Sequence, residues 1–358
     1  MRKTVVPTAD VRVPSAVDGL SVWSSHDLTS NSSWLHHLSS VDIAELRSIA
    51  EELDTPDLDL RLVDKSIATL PGLSRTLADL HERIANGIGV VQIRGLPIDQ
   101  IGRRHAAIIF WCISQHIGDQ VVSQNAQGHL LGHVRDLGQS FSQPNSRGPY
   151  TSERIEFHSD ACDIVGLLCL CPAMSGGESS LASAGLVFNQ MQARRPDLVK
   201  ALLKPVYRDR RGEIPPGAEP WYAFPVFNFA GELLSVNNEP SYIDSVTRFF
   251  DDDPNTQAQH EALQFLETIA HDHHVDIPFE AGDMQFVNNH TILHSRNAFV
   301  DTQDPMKKRH LLRIWLLDYD GWPVPKDYYL RHGDVSSQRR PGGITGHNTT
   351  LHAPLDDV

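Results

Sequence analysis

Hydrophobic and polar positions alternate with a helical period in the first third of the chain. Apolar residues recur every three or four positions over 39–54, 74–86 and 101–118, which predicts three amphipathic helices. The segment GVVQIRG (89–95) lies between the second and the third of these and is typical of a short buried strand. Helices are therefore expected to be concentrated in the N-terminal third of the chain.

The pattern changes after residue 157, where short apolar runs between Gly- and Pro-containing turns predict strands. The preceding segment, 119–157, is polar and rich in Gly, Asn and Gln, which is typical of binding loops. Strands are predicted at 164–171, 179–184, 223–238 (a hairpin), 284–288, 291–295 and 309–317, and helices at about 185–203 and 256–272. Because strand and helix signals do not alternate, a sandwich or jelly roll carrying helices is favoured over a parallel βαβ sheet.

The composition and charge exclude several classes of protein. The chain is 40% hydrophobic and 21% charged, which is typical of a globular protein. A net charge of -14 argues against binding to nucleic acid or to anionic membranes, since both need a basic face. No stretch approaches the roughly 20 apolar residues that span a bilayer, and the N-terminus lacks the apolar core of a signal peptide. With only four cysteines in 358 residues, a reducing, cytoplasmic location is expected.

A His and an Asp stand one residue apart just before the apolar run 164–171. In an extended chain the side chains of His158 and Asp160 share a face and can bind one metal ion. The pattern alone is weak evidence, because 19 His and 45 acidic residues among 358 produce about two such pairs by chance. The second pair, His332 and Asp334, is followed only by a polar tail, so it is expected to be a solvated loop.

Two further predicted strands carry charged or metal-binding side chains. His290 and His294 fall on one side of the first strand, about 13 Å apart at 3.3 Å per residue, so only one of them is expected in a given ligand shell. The second strand, 309–317, is apolar on both faces and is expected to be buried, yet it carries Arg309 and Arg313 on one face. Buried guanidinium groups need anionic partners, because an unpaired buried charge costs several kcal/mol.

Two imidazoles and one carboxylate on one side of a metal form the facial triad of non-haem Fe(II) oxygenases. The opposite side of the ion then stays open for a bidentate co-substrate and O2. The planar fork of an arginine suits the far carboxylate of such a co-substrate. His158, Asp160 and His294, followed by the two arginines, therefore indicate this chemistry.

Three segments together give a specific resemblance: FHSDACDIVGLLCLCPAMSGGESSLAS, GDMQFVNNHTILHSRNAF and KRHLLRIWL. In order and spacing they resemble the TauD/TfdA family of Fe(II)/2-oxoglutarate dioxygenases, over roughly residues 80–320. The resemblance implies a mainly β fold with flanking helices, a double-stranded β-helix (jelly-roll or cupin-like) barrel with the N-terminal helices outside. It implies a single domain over 1–358, with a loosely ordered polar tail over 333–358.

The resemblance also assigns roles to individual residues. It implies that His158, Asp160 and His294 bind Fe(II), and that 2-oxoglutarate and O2 are co-substrates. Arg313 is implied to pair with the distal carboxylate of 2-oxoglutarate, and Ser179 stands where the family often has a hydroxyl that helps this arginine. Arg309 matches an arginine that lies at the acidic group of the substrate in the taurine-oxidising member.

The expected activity is oxidation of a small, acidic organic substrate with release of succinate and CO2. Hydroxylation is the default outcome, with desaturation, cleavage or ring formation as alternatives. Halogenases on this scaffold replace the carboxylate ligand by a small residue, whereas Asp160 is present here. Two other classes stay open: a cupin-like metalloenzyme that does not use 2-oxoglutarate, and a non-enzymatic jelly-roll binding module. The sequence leaves the oligomeric state open, a homo-oligomer included.

Overall fold

The computed structural model describes residues 13–325 apart from 142 and 144, and after these it describes 328, 332, 339, 340, 342–344, 346 and 349–355. In this part of the chain the α-helices are α1 (Ser25–Ser30), α2 (Ser40–Leu53), α3 (Ser74–Ala85), α4 (Ile98–Ile101), α5 (Arg103–Ile117), α6 (Ala184–Arg194), α7 (Pro196–Leu202), α8 (Pro240–Asp244) and α9 (Gln257–His273). The strands of the first half are β1 (Leu35–His37), β2 (Val90–Arg94), β3 (Gln120–Val122), β4 (Leu131–Val134), β5 (Ile155–His158), β6 (Ile164–Cys171), β7 (Ser175–Gly176) and β8 (Ser179–Ser183). Those of the second half are β9 (Val206–Asp209), β10 (Trp221–Phe224), β11 (Phe227–Ala230), β12 (Leu233–Val236), β13 (Val275–Ile277), β14 (Met284–Asn288), β15 (Ile292–Arg296), β16 (Phe299–Val300) and β17 (His310–Leu317).

Two main sheets form the centre of the molecule. The larger has seven strands in the order β1-β2-β14-β6-β17-β3, with β4 also paired to β17. The smaller has four antiparallel strands in the order β13-β8-β15-β5. Side chains from β6 and β17 of the larger sheet and from β5, β8 and β15 of the smaller sheet line one cavity. This arrangement confirms the predicted fold class, mainly β with flanking helices around a jelly-roll core.

Helices cover the outer face of each sheet. The main hydrophobic core lies between the larger sheet and α2, α3 and α5, so the N-terminal helices pack outside the sheets as predicted. A second core lies between the smaller sheet and α6, α7 and α9. Of the described helices, none is long and apolar enough to cross a bilayer.

Strand β17 explains how one sequence pattern serves both the core and the cavity. Leu312, Ile314 and Leu316 are fully buried and belong to the main core. On the other face, Arg313 and Trp315 line the cavity. Because side chains alternate across a strand, the apolar face fixes which residues point into the cavity.

Most predicted elements are confirmed, and two predictions need correction. The helix predicted over 185–203 is two helices. The break is at Arg195, which has a φ of -145° and directly precedes Pro196. The segment 119–157 was predicted as loops but contains β3, β4 and β5. These strands have only three or four residues each, and their hydrogen-bond partners lie in β17 and β15. Local sequence carries little signal for such strands.

The polar C-terminal tail was predicted to be loosely ordered from residue 333 onward. Residues 333–338, with Asp334, lie outside the described residues. Of those described further on, Arg340 is buried and pairs with Asp163 at 2.7 Å. His352 forms a β-bridge with His129, and Leu355 packs against the main core. The described part of the tail is therefore anchored to the body of the protein.

Candidate active site

His158 and His294 are direct neighbours on adjacent antiparallel strands. They form a register pair between β5 and β15, next to an irregularity in that ladder. Their ring centroids are 4.2 Å apart. Two histidines separated by more than 130 positions in the chain are thus brought side by side by strand pairing.

Asp160, two residues past the end of β5, completes a group of three. Its Oδ1 lies 4.0 Å from His158 Nε2, and its Oδ2 lies 3.7 Å from His294 Nε2. All three candidate ligand atoms lie within 4.8 Å of one another. Since metal–nitrogen and metal–oxygen bonds are about 2.1 Å long, two ligands of one ion lie at most about 4 Å apart. The distances of 4.0 and 3.7 Å to Asp160 meet this limit, so the group can hold one metal ion, and its two imidazoles and one carboxylate match the donor set that non-haem Fe(II) sites use.

Contacts behind the three side chains fix their orientation. His158 Nδ1 donates to the backbone oxygen of Glu156 at 2.8 Å, which leaves the lone pair of Nε2 directed toward Asp160. The side chain of Asn289 accepts from the backbone N–H of Asp160 at 2.9 Å and donates to the backbone oxygens of Asp160 and Cys162. The fully buried Asn289 thus holds the short loop that carries Asp160.

Two donors from β17 converge on one oxygen of Asp160. Arg313 Nη1 lies 3.2 Å and Trp315 Nε1 lies 2.9 Å from Oδ2. Burial opposes the charge on Asp160, but Arg313 and the two histidines outweigh it and lower the pKa of this carboxyl far below its usual range. Burial, helped by neighbouring His294, lowers the pKa of His158 to about 4. An ionised carboxylate and a neutral imidazole are the forms that bind metal.

A cavity of about 720 Å³ extends from the three side chains between the two sheets. Its described lining is strongly charged, with eight arginines and five acidic residues. The arginines are Arg147, Arg154, Arg210, Arg211, Arg248, Arg296, Arg309 and Arg313, and the acidic residues are Glu156, Asp160, Glu213, Glu239 and Asp244. The cavity is therefore cationic in a chain whose net charge is -14.

Arg296 and Arg309 lie on the same aromatic ring at one end of the cavity. Each guanidinium carbon is 4.9 Å from the ring centroid of Phe299, and neither arginine forms an ion pair within the described residues. Arg309 Nη2 donates to the oxygen of Gly177 at 3.2 Å, while its Nη1 is buried without a hydrogen-bond partner. Burial lowers the pKa of Arg309 to about 10, and burial with the charge of Arg309 lowers the pKa of Arg296 to about 9. Two adjacent buried cations favour an anion at this end of the cavity.

Ser179 lines the same cavity as Arg296 and Arg309. In the ladder between β8 and β15 it stands opposite Arg296. Its hydroxyl donates to Gln285 Oε1 at 2.7 Å. Arg313 instead contacts Asp160 and Gln124. The contact between Ser179 and Arg313 that the resemblance implied is thus not formed among the described side chains.

Asp163 and His290 form a separate buried network. Asp163 accepts from Arg340 Nε at 2.7 Å, from His290 Nε2 at 2.7 Å and from the backbone N–H of Asp318 at 3.0 Å. His290 is therefore engaged outside the group of three, as its spacing from His294 predicted.

Sequence reasoning missed four residues that the geometry makes important. Asn289 and Trp315 contact Asp160 or its loop, and Arg296 and Arg211 line the cavity without a carboxylate partner. Trp315 shares a strand face with Arg313, which was a usable signal. The other three depend on contacts between distant parts of the chain.

The fold and these motifs have counterparts in known proteins. The sequence profile of the family described as "Taurine catabolism dioxygenase TauD, TfdA family" matches residues 55–315. FR-33289 synthase of Streptomyces rubellomurinus (strain ATCC 31215) is 30% identical over 331 residues, which cover 91% of this chain and 97% of that protein. A uridine-5'-phosphate dioxygenase of a Streptomyces species is 32% identical over 175 residues, covering 46% of this chain and 62% of that protein.

Solved structures share the architecture. Non-heme iron oxygenase OrfP, in its complex with Fe and alpha-ketoglutaric acid, superposes with a TM-score of 0.59 at 16% identity. The superposition covers 85% of this chain and 99% of the OrfP chain. The two proteins therefore have the same fold.

Proposed function

The chain belongs to the TauD/TfdA family, and from this premise we propose which of its residues carry out the reaction. The protein is an Fe(II)- and 2-oxoglutarate-dependent dioxygenase. The cupin-like metalloenzyme without 2-oxoglutarate and the non-enzymatic binding module, which the sequence had left open, are therefore set aside. When bound, Fe(II) and 2-oxoglutarate supply the activation of O2 that oxidises a substrate C–H bond, with release of succinate and CO2.

We propose that His158, Asp160 and His294 hold the Fe(II). The observation that carries this proposal is that one candidate ligand atom from each of the three side chains lies within 4.8 Å of the other two, in the lining of the charged cavity. The protein contributes a neutral His158 and an ionised Asp160, so that no proton has to leave either side chain when the ion binds at neutral pH. The half of the site that faces the cavity is left for the co-substrates.

We propose that Arg309, with Arg296 beside it and the Ser179 hydroxyl nearby, binds the distal carboxylate of 2-oxoglutarate. This exchanges the roles that the resemblance gave to Arg309 and Arg313. The physical reason is the state of each guanidinium: Arg313 already has the carboxylate of Asp160 at 3.2 Å, whereas Arg309 forms no ion pair with a described carboxylate and its Nη1 is buried without a hydrogen-bond partner. A carboxylate between Arg309 and Arg296 would relieve both the desolvation and the mutual repulsion of these two buried charges.

Arg313 then acts at the metal site itself. It holds one oxygen of Asp160, and its guanidinium lines the cavity beside the three ligands. From there it faces the position that a bound substrate would occupy. We propose that it orients Asp160 and meets an acidic group of the substrate near the reacting carbon.

The substrate is proposed to be a small, anionic organic molecule that undergoes hydroxylation. The excess of arginine over acidic residues around the cavity supports an anion, since the overall charge of -14 would otherwise repel one. A relative named for uridine-5'-phosphate, a phosphate-bearing substrate, agrees with this assignment. The cytoplasmic location and a homo-oligomeric state stay predictions.

The proposed function is tested by following succinate release from 2-oxoglutarate in the presence of a panel of small carboxylates, sulfonates and organic phosphates. We expect at least one anionic compound to stimulate succinate release and to gain one oxygen atom, seen as a mass increase in the product. The matched neutral compounds should not stimulate release. Stimulation by neutral compounds alone would contradict the anionic substrate class.

A further inference from the structure

Arg211, Arg296 and Arg309 line the cavity, and none of them forms an ion pair with a described carboxylate. Two of them, Arg296 and Arg309, share the ring of Phe299 and are accounted for by the distal carboxylate of 2-oxoglutarate. The third, Arg211, belongs to the connection between β9 and β10 and has different neighbours, Ser146 and Tyr242. Its charge is left uncompensated by the co-substrate.

We propose that Arg211 anchors a phosphoryl group of the substrate, a phosphate or a phosphonate, at a subsite separate from the iron and from 2-oxoglutarate. The inference rests on the proposed function, because it names the substrate class for that same cavity. It places an anion-binding position on a loop that the sequence motifs do not include.

The side chain of Arg211 is buried and incompletely bonded. The residue is only 8% exposed, and its Nε is buried without a hydrogen-bond partner. Nη2 reaches the Ser146 hydroxyl at 3.4 Å, near the limit for a hydrogen bond. The guanidinium carbon lies 5.5 Å from the ring centroid of Tyr242. A buried guanidinium with an unpartnered Nε, in the lining of a cavity, is suited to an anionic ligand.

The backbone holds Arg211 in an unfavourable conformation. Its φ is 50°, in the left-handed region that non-glycine residues rarely adopt, and among the described non-glycine residues only Asn145 shares this sign. Asp209 maintains this geometry by accepting from the Arg211 backbone N–H at 2.7 Å. Arg248 donates to both Asp209 and Asn145, which ties together the two loops that carry Arg211 and Ser146. Strain maintained in this way at the wall of a cavity is typical of a functional position.

The neighbouring acidic group does not neutralise Arg211. Glu213 faces the same region but pairs with Arg147 at 2.9 Å. Burial raises the pKa of Glu213, and of the cations that oppose this shift Arg147 acts most strongly, ahead of Arg313 and Arg211. The charge of Arg211 therefore remains available to a ligand.

The chemistry around Arg211 favours a phosphoryl group over a carboxylate. A carboxylate has two oxygens, which the arginine fork alone can satisfy. Here the Ser146 hydroxyl lies beside the guanidinium and can donate its own proton to a ligand, while the ring of Tyr242 lies against the guanidinium. Arg147, Arg210 and Arg248 line the same cavity. An anion with three oxygens can use the arginine fork and the serine hydroxyl at the same time, whereas a carboxylate is satisfied by the fork alone.

The test uses methylphosphonate as the probe, with binding measured by ³¹P chemical-shift titration. The full-length chain is loaded with 2-oxoglutarate and with Zn(II), a diamagnetic substitute for Fe(II), and the titration is repeated without metal. We expect the wild type to bind methylphosphonate and Arg211→Met to weaken it at least tenfold. Arg211→Lys, which keeps the charge but not the fork, should fall between the two and shows that the fold tolerates a change at this position.

Two variants provide matched comparisons. Arg154→Met removes another cavity-lining arginine, one that is paired with Glu267 at 2.5 Å, and should keep the wild-type affinity for methylphosphonate. Arg309→Met should also keep it. The proposal would be overturned if Arg211→Met kept the wild-type affinity for methylphosphonate, or if Arg309→Met lost that affinity instead. It would also be overturned if the wild type did not bind methylphosphonate, or if it bound acetate equally tightly. Because the metal-free titration requires neither iron nor turnover, these outcomes are distinct from a failure of the proposed function, which would appear as absent succinate release.

Discussion

Arg313 Nη1 lies 3.2 Å from the same Asp160 oxygen that faces His294. The carboxylate of the proposed iron site is thus held by a guanidinium before any metal arrives. This contact keeps Asp160 ionised despite its burial. Arg309, which directly precedes the same strand, forms no ion pair with a described carboxylate.

Replacing each of these arginines by methionine should separate their roles. Arg313→Met removes a contact that orients a metal ligand, so we expect iron affinity to fall roughly 10- to 100-fold. Arg309→Met should instead weaken 2-oxoglutarate binding by about 2–5 kcal/mol, the usual cost of removing one partner of a buried charge pair, with a much smaller effect on iron. Equilibrium dialysis of Fe(II) and of 2-oxoglutarate, under nitrogen, measures both. The reverse pattern would return the co-substrate role to Arg313.

The unpaired charge of Arg309 also has a consequence for stability without ligands. Replacing Arg309 by an apolar side chain of similar volume removes the free-energy cost of burying an unpaired cation. Arg309→Met should therefore unfold at a higher temperature than the wild type when 2-oxoglutarate is absent. The expected gain is about 1 kcal/mol or more, within the range seen when buried ionic groups are replaced by apolar ones.

Thermal unfolding with and without Fe(II) and 2-oxoglutarate checks this expectation. The ligands should stabilise the wild type and have a smaller effect on Arg309→Met. A variant that unfolds at a lower temperature than the ligand-free wild type would show that Arg309 has a compensating partner.

Asn289 is expected to position Asp160 through its backbone. Asn289→Ala leaves the backbone groups of this loop unsatisfied, so iron affinity should fall by about tenfold or more together with stability. Asn288→Ala is the matched control, because the Asn288 side chain donates to the backbone oxygen of Ile84 at 3.1 Å, at the end of α3. It should lower stability and spare iron affinity. Equal iron affinity in the two variants would contradict a positioning role for Asn289.

Asp163 is expected to support stability in a pH-dependent way. Burial opposes its charge, but His290 and Arg340 outweigh burial and lower its pKa to about 2. Its folded-state pKa is therefore below the unfolded value of about 3.9. The stabilising contribution is fully present above that value and is lost as the pH falls through about 2.

Asp163→Asn should destabilise the protein by about 3–5 kcal/mol at neutral pH, because Arg340 and His290 lose a buried partner. The difference from the wild type should shrink at acidic pH, as measured by urea unfolding. Asp320→Asn, which removes an exposed partner of Arg339, is the control and should have no measurable effect. An unchanged stability in Asp163→Asn would contradict the clamping role of this network.

The sequence predicted the three proposed metal ligands through strand periodicity together with the resemblance to the TauD/TfdA family. His158 and Asp160 share a face by spacing, and His294 precedes the strand that carries the arginines. The pairing of His158 with His294 through β5 and β15 then follows from strand register.

The roles of Arg309 and Arg313 could not be separated from the sequence. Arg309 directly precedes β17, Arg313 lies within it, and both line the cavity, so what distinguishes them is a carboxylate 153 positions away from Arg313. The same holds for Arg211, whose importance depends on burial and on an unusual φ angle. Spacing along one strand carries no information about such partners.

The central claim is tested most directly by a crystal structure of the protein prepared under nitrogen with Fe(II) and 2-oxoglutarate. We predict one iron bonded to His158, Asp160 and His294, with the distal carboxylate of 2-oxoglutarate on Arg309. An iron bound elsewhere, or a distal carboxylate on Arg313 with Arg309 still unpaired, would contradict this account.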